Sequence, residues 1–140
     1  MSKLSEFRAN LTEILVDHGL RINTWASGGR RSANLLEITT APETTVLYVK
    51  EFNVLNRPGF WGLTKNQIER LHTVAPNWFA VLLLRSSTTG YVLTRSQVAN
   101  LISEGSFELS GDGDFKVNEC QDLQSTDAFW SPKELLDRIL

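Results

Sequence analysis

Residues 78–84, WFAVLLL, form an unbroken apolar run between Pro76 and Ser86. A strand buried on one face alternates apolar and polar side chains, whereas a strand buried on both faces is apolar throughout. The run is also far too short for a bilayer-spanning helix, which needs about 20 apolar residues. It therefore predicts a central strand, residues 78–85, in a sheet that is covered on both sides.

Hydrophobic periodicity and turn residues divide the remaining chain into helices and strands. Apolar positions recur every three or four residues in four segments, which predicts helices at 4–18, 65–73, 95–105 and 131–140. Further strands are predicted at 20–26, 33–39, 45–52 and 88–94, with a hairpin over 106–119 that turns on GDGD. The segment before the second helix contains Pro58, Gly59 and Gly62, which predicts a loop.

The order of these elements predicts the fold class. One helix precedes a three-stranded meander, and helices and strands alternate after it. Such an order is typical of an α/β (or α+β) domain with a mixed sheet and helices on both faces. The length of 140 residues is that of one domain with a single core, so residues 1–140 are expected to form one unit.

Composition argues against several classes of protein. The net charge is -2, so there is no overall basic field for nucleic acid, although a local basic patch is compatible with this charge. The N-terminus has charges throughout, unlike a signal peptide, and no segment is apolar enough to span a membrane. Cys120 is the single cysteine, which excludes an internal disulfide and a cysteine-based zinc cluster. We expect a soluble cytoplasmic protein.

The predicted strand 45–52 ends in an unusual way. Its apolar run, Val46–Val49, is followed by Lys50 and Glu51. A lysine at this place either extends to solvent from the strand end or is held at a site that binds an anion. Farther along the chain, Thr64 and Gln67 have the spacing of a capping box, which predicts the start of the second helix.

With these elements the chain resembles the PD-(D/E)XK nuclease superfamily, which has the restriction-endonuclease-like fold. Lys50 matches the family's lysine, and Tyr48 occupies the place of the acid two residues before it in Glu-x-Lys or Asp-x-Lys. Asn34 matches the first acid, on the preceding strand, and Gln67 matches the helix glutamine of the resolvase-like branches. The resemblance implies that these four residues mark the position of the catalytic site.

Both acids of the family motif are replaced in this sequence. In active members two carboxylates hold a divalent metal that activates water, and Mg²⁺ prefers anionic oxygens. Asn34 and Tyr48 supply neutral oxygens instead. Because strand residues alternate between faces, Glu37 and Glu51 are expected to point away from the motif, and Glu13 to face water. We therefore expect no metal or other cofactor, and Mg²⁺ only if the chain is an active nuclease.

Basic residues in two segments are candidates for contacts with phosphate. In SGGRRS, Arg30 and Arg31 follow two glycines, and a solvated hairpin turn is the alternative. In RPGFWGLTKN, Arg57, Trp61 and Lys65 combine positive charge with an aromatic ring, a pattern that binds single-stranded nucleic acid. The alternative for the tryptophan is that it closes the edge of the core.

Three functions are compatible with these observations. The leading one is a degenerate nuclease-like domain that binds DNA or RNA, or supports a complex that processes it, without efficient metal-dependent cleavage. The second is an active Mg²⁺-dependent endonuclease whose acids have moved to other positions. The third is a protein-interaction module without catalysis, such as a homodimer. The sequence leaves open whether the protein is an enzyme.

Overall fold

The computed structural model describes residues 2–26, 31–40 and 43–140, and its centre is a six-stranded mixed sheet. In spatial order its strands are β1 (Ile22–Thr24), β2 (Leu35–Thr39), β3 (Thr44–Phe52), β5 (Trp78–Leu84), β6 (Gly90–Thr94) and β9 (Ala128–Phe129). Strands β3 and β5 are parallel, and the other neighbouring pairs are antiparallel. A second sheet contains β4 (Phe60–Thr64), β8 (Asp114–Asn118) and β7 (Glu108–Leu109), in that order.

Helices cover both faces of the large sheet. In the described part of the chain they are α1 (Lys3–Asp17), α2 (Lys65–Val74), α3 (Arg95–Ser103), the short α4 (Glu119–Asp122) and α5 (Pro132–Ile139). Ser2 and Ser131 cap α1 and α5 by accepting backbone N–H bonds from the first turn. None of these helices has the length and apolar character that crossing a membrane requires.

The alternation of side chains explains why β5 and the segment Val46–Val49 of β3 are continuously apolar. One face, here called the α1 face, is covered by α1 and α5; Leu47 and Val81 point into it. The other, called the α2 face, is covered by α2, α3 and the second sheet; Tyr48 and Leu82 point into it. Because each strand buries both sets of side chains, neither has a solvent side on which polar residues would be stable.

The predicted core of the fold is confirmed. The strands predicted at 45–52 and 78–85 are β3 and β5, and both lie inside the sheet. The strands predicted at 20–26 and 33–39 correspond to β1 and β2, which are shorter than predicted. The hairpin predicted over 106–119 is formed by β7 and β8. The class is therefore the predicted α+β arrangement, with a mixed sheet flanked by helices.

The prediction of a loop after Pro58 is wrong for residues 60–64, which form strand β4. Gly62 and Pro58 suggested a turn, but β4 pairs over its whole length with β8, 50 or more residues away in the sequence. Gly62 lies opposite Lys116 in that pairing, and a Cβ on it would press against the Asp114 carboxylate. The glycine therefore leaves room for the Asp114 side chain of β8 and does not mark a chain reversal.

Candidate nuclease-like site

Lys50 lies near the end of β3, on the α2 face. In the sheet register it is beside Leu82 of β5, and it shares its face with Tyr48, two residues earlier. Its ammonium is 5.9 Å from the centroid of the Tyr48 ring, within the range of a cation–π contact. None of the ion pairs and hydrogen bonds among the described residues includes Lys50. Its half-buried ammonium therefore remains open to an anion.

Tyr48, at the place of the family's second acid, is a structural residue in this protein. Its side chain is 1% exposed, and its hydroxyl oxygen accepts a bond of 3.1 Å from the backbone N–H of Thr64. Thr64 is the N-cap of α2, so this bond ties the start of that helix to β3. The first backbone N–H groups of a helix have no partner within the helix. Tyr48 supplies one such partner through its hydroxyl oxygen.

Asn34, at the place of the family's first acid, is not aligned with Lys50. Its backbone carbonyl accepts the Val49 N–H at 2.9 Å, which puts it across from Val49 in the β2–β3 pairing. Paired residues point to the same face, so a regular continuation of β2 directs Asn34 toward the α1 face. Its side-chain oxygen accepts a bond from the Ser32 hydroxyl in the turn before β2. The register thus places Asn34 and Lys50 on opposite faces of the large sheet.

The nearby carboxylates are not assembled beside Lys50. Glu51 points to the α1 face, where its Oε1 accepts the Leu4 N–H at the start of α1. Glu37 lies across from Val46, on the face of Lys50 and not away from it as predicted, but about 13 Å along the strand at ~3.3 Å per residue. Glu13 is exposed, as expected. Within residues 2–26, 31–40 and 43–140, no group of three or more His, Cys, Asp or Glu side chains is arranged to hold a metal ion.

Gln67 does not form the predicted capping box. Its Oε1 accepts a bond of 3.3 Å from Arg70, one turn farther along α2, and Thr64 forms no side-chain cap bond. In a capping box the glutamine side chain would accept a hydrogen bond from the Thr64 N–H, but that N–H donates to the Tyr48 hydroxyl instead. The same Thr–Gln spacing does form a full capping box at Thr94 and Gln97, where no tyrosine takes the N–H.

The candidate phosphate-binding residues are placed differently from one another. Arg31, Arg57 and Lys65 are exposed, and Lys65 is 3.9 Å from Glu69 in a surface ion pair. Arg30 lies outside the described residues. Trp61 is 2% exposed, and its indole N–H donates to the Leu83 carbonyl at 3.1 Å. Its ring therefore closes the edge of the core, which was the alternative interpretation, and no face of the ring is open to a nucleobase.

The role of Tyr48 at the start of α2 can be tested by stability measurements. Thr64→Ala should cost less than about 0.5 kcal/mol in the free energy of unfolding, since Thr64 makes no cap bond. Thr94→Ala should cost about 1 kcal/mol, because Thr94 caps α3. Tyr48→Phe should cost about 1–2 kcal/mol by leaving the Thr64 N–H without its partner. Urea denaturation of the three variants measures this order; equal costs for the two threonine variants would contradict it.

Sequence reasoning missed a second polar cluster near this end of the sheet. Tyr91 on β6 donates to Glu119 Oε2 at 2.6 Å, and the Gly59 N–H donates to Glu119 Oε1 at 2.7 Å. Arg85 follows β5. Its backbone N–H donates to the backbone carbonyl of Phe52, the last residue of β3, at 2.7 Å. The one available signal was position: Arg85 ends a buried strand next to the strand that carries Lys50.

Comparisons with known proteins agree with this architecture. No protein-family model matches the chain, and no curated protein is significantly similar to it in sequence. Among solved structures it is similar to Hjc, a Holliday junction resolvase of the archaeal hyperthermophile Archaeoglobus fulgidus, with a TM-score of 0.52 and 15% sequence identity. The similarity covers 84% of this chain and 90% of the resolvase chain. The chain thus has the restriction-endonuclease-like fold that its sequence predicts.

Proposed function

We propose that this chain is a nucleic-acid-associated, nuclease-like domain that does not cleave efficiently with a divalent metal. The observation that carries the proposal is the environment of Lys50. The neighbouring position of the motif is Tyr48, whose oxygen is bonded to the start of α2. A small dication such as Mg²⁺ keeps its water unless anionic oxygens replace it. A phenol and a distant amide do not provide that replacement.

The fold and the exposed cations support an association with DNA or RNA. The similar solved structure is described as a Holliday junction resolvase. In this chain, Lys50 has no ionic partner among the described residues; Arg31, before β2, and Lys65, at the start of α2, are exposed. Exposed cations on a nuclease-like scaffold give salt-dependent, sequence-independent contacts to phosphates. Together with Arg57, and with Arg30 from the sequence alone, they are our candidate phosphate contacts.

The absence of cleavage is the first expected result. Purified protein incubated with single-stranded, duplex and four-way-junction DNA, and with RNA, should show no more cleavage in Mg²⁺ or Mn²⁺ than its Lys50→Ala variant. The two proteins are matched because Lys50 is half-buried without a hydrogen bond among the described residues. Cleavage that requires the metal and disappears in Lys50→Ala would overturn the proposal and favour the active endonuclease.

Binding is measured separately from cleavage, by titrating labelled DNA and RNA over a series of salt concentrations. Each phosphate contact adds about 0.7–0.9 to the slope of log K against log salt. Arg31→Ala and Lys65→Ala should each weaken binding to all sequences and lower that slope by roughly one contact. Binding that is absent, or that is insensitive to salt and to both variants, would refute the nucleic-acid association.

In that case the protein-interaction module becomes the better interpretation. Val54, Leu55 and Trp130 are exposed apolar side chains. Each follows a strand, β3 or β9, and the carboxyl ends of these two strands lie on the same side of the large sheet. Apolar side chains at such an edge are suited to a partner protein or a second copy of this chain. Sedimentation velocity over a range of protein concentrations distinguishes a homodimer from a monomer.

A cytoplasmic location stays a prediction from the sequence.

A further inference from the structure

A groove lies beside the end of β3, between the segment 56–60 and α4. Its two adjoining parts have volumes of about 560 and 310 Å³. Arg57, Glu119 and Cys120 line both parts; Arg85 and Tyr91 line the first, and Phe60 lines the second. We call it the Arg57–Cys120 groove. Cavities of about 300–1,000 Å³ hold small molecules, so each part has room for a nucleotide unit.

The acidic residue of the groove is already satisfied by the protein. One carboxylate oxygen of Glu119 accepts from Tyr91 and the other from the Gly59 N–H. Burial, together with the hydrogen bond to Glu119, raises the pKa of Tyr91 to about 12, so the phenol stays a proton donor at neutral pH. Glu119 therefore holds the groove together while it keeps its negative charge. The positive charges that line the groove are the guanidinium groups of Arg57 and Arg85.

The two arginines have different roles in the frame of the groove. Arg85 has a backbone φ of 54°, a left-handed conformation that costs an arginine roughly 1–2 kcal/mol. Its guanidinium Nη1 donates to the Arg57 carbonyl at 2.8 Å, and no described residue bonds to its other guanidinium nitrogens. Arg57 gives the frame its carbonyl, and its exposed side chain has no bond to the described residues. Both can therefore donate to an anion.

An aromatic ring stands at the other end of the groove. Phe60 begins β4 with its side chain outward, 43% exposed, while the next residue, Trp61, points into the core. The Lys116 ammonium is 5.8 Å from the Phe60 ring centroid. An exposed ring together with guanidinium groups is the combination that binds unpaired bases by stacking and phosphates by charge.

We infer that the Arg57–Cys120 groove binds single-stranded nucleic acid, with phosphates at Arg57 and Arg85 and a base against Phe60. The inference rests on the proposed function and specifies its substrate. Arg85 is hydrogen-bonded to the last residue of β3, so the groove begins where the strand of Lys50 ends. A single strand in the groove thus passes the end of β3.

Cys120 provides a direct test of occupancy. It is the one cysteine of the chain, it is exposed, and it lines both parts of the groove. We expect an oligothymidylate of about ten nucleotides, within the usual range of single-strand site sizes, to slow alkylation of Cys120 by N-ethylmaleimide. The slowing should follow the fraction of protein bound, as measured by fluorescence anisotropy of the same oligonucleotide.

Variants assign the contacts. Arg57→Ala keeps the carbonyl that Arg85 uses, so it should fold normally while weakening oligothymidylate binding about tenfold. Phe60→Ala should weaken it about fivefold or more through lost stacking. The matched control is Lys133→Ala, which also removes one exposed positive charge, on α5 at the opposite face of the sheet. Its affinity should stay within about twofold of wild type.

The outcomes separate this inference from the proposed function. Salt-dependent binding that leaves Cys120 unprotected and Arg57→Ala unchanged, while Lys65→Ala weakens it, overturns the groove and keeps the nucleic-acid association. Stronger binding of duplex than of single strand, with Cys120 still reactive, also overturns the groove. Absence of binding to every nucleic acid overturns both.

Discussion

Replacing Trp61 by alanine should lower the free energy of unfolding by about 3–5 kcal/mol. The side chain is 2% exposed, and its ring lies 6.1 Å from both the Phe52 and the Tyr91 rings, centroid to centroid. It also covers Gly59, where a Cβ would overlap the indole. The substitution leaves a large cavity between the second sheet and β3, and it removes the N–H that satisfies the Leu83 carbonyl.

The matched control for this substitution is Trp130→Ala. Trp130 is 72% exposed, so its removal should change the free energy of unfolding by less than about 0.5 kcal/mol. Urea denaturation followed by circular dichroism measures both variants, since intrinsic fluorescence changes with either tryptophan. Equal and small effects would show that Trp61 is not part of the core, and would restore it as a candidate for stacking on nucleic acid.

Gly90→Ala should be at least as damaging, because it breaks the contact between two internal strands. Gly90 pairs with Leu83 of β5 and Phe129 of β9. A Cβ on it would overlap the Leu82 carbonyl oxygen and come within 2.9 Å of the carbonyl carbon. These are backbone atoms of a buried strand that cannot rotate away. We expect a loss of more than about 3 kcal/mol in the free energy of unfolding, in the tail of single-substitution effects.

Gly111→Ala is the appropriate comparison, since it makes the same chemical change in an open turn. No heavy atom lies within 4 Å of where its Cβ would stand. Its free energy of unfolding should therefore stay within about 1 kcal/mol of wild type. Urea denaturation of both glycine variants is the measurement. A Gly90→Ala protein as stable as the Gly111→Ala protein would mean that β6 does not pack against β5 in this register.

The strands that form the centre of the fold were predictable because burial on both faces leaves a direct mark on composition. Residues 46–49 and 78–84 are apolar without interruption, and in the structure they point alternately into the α1 face and the α2 face. Strand β4 carries no such mark. It is short, contains Gly62, and depends for its hydrogen bonds on β8, so the local sequence resembles a loop.

The candidate site shows the same division at the level of single side chains. The prediction of Lys50 as a site residue, with Asn34 and Tyr48 in place of the two acids, depends on residue type and sequence spacing, and it stays a prediction. The sequence could not show that the Tyr48 hydroxyl would take the Thr64 N–H, which left Gln67 to bond with Arg70. It also could not bring Arg85, Tyr91 and Glu119 to one groove, since they come from three separate elements.

By itself the sequence determined that this protein builds a mixed sheet around two internal strands and has no acid at position 48 to hold a metal next to Lys50. Both are local properties: hydrophobic burial acts on every residue of a strand, and the chemistry of a side chain is set by its type. The tertiary structure decided the face on which Asn34 and Glu37 lie, the burial of Trp61 and the existence of the Arg57–Cys120 groove. Those features depend on strand register and on contacts between distant segments, which many sequences of the same pattern can satisfy differently.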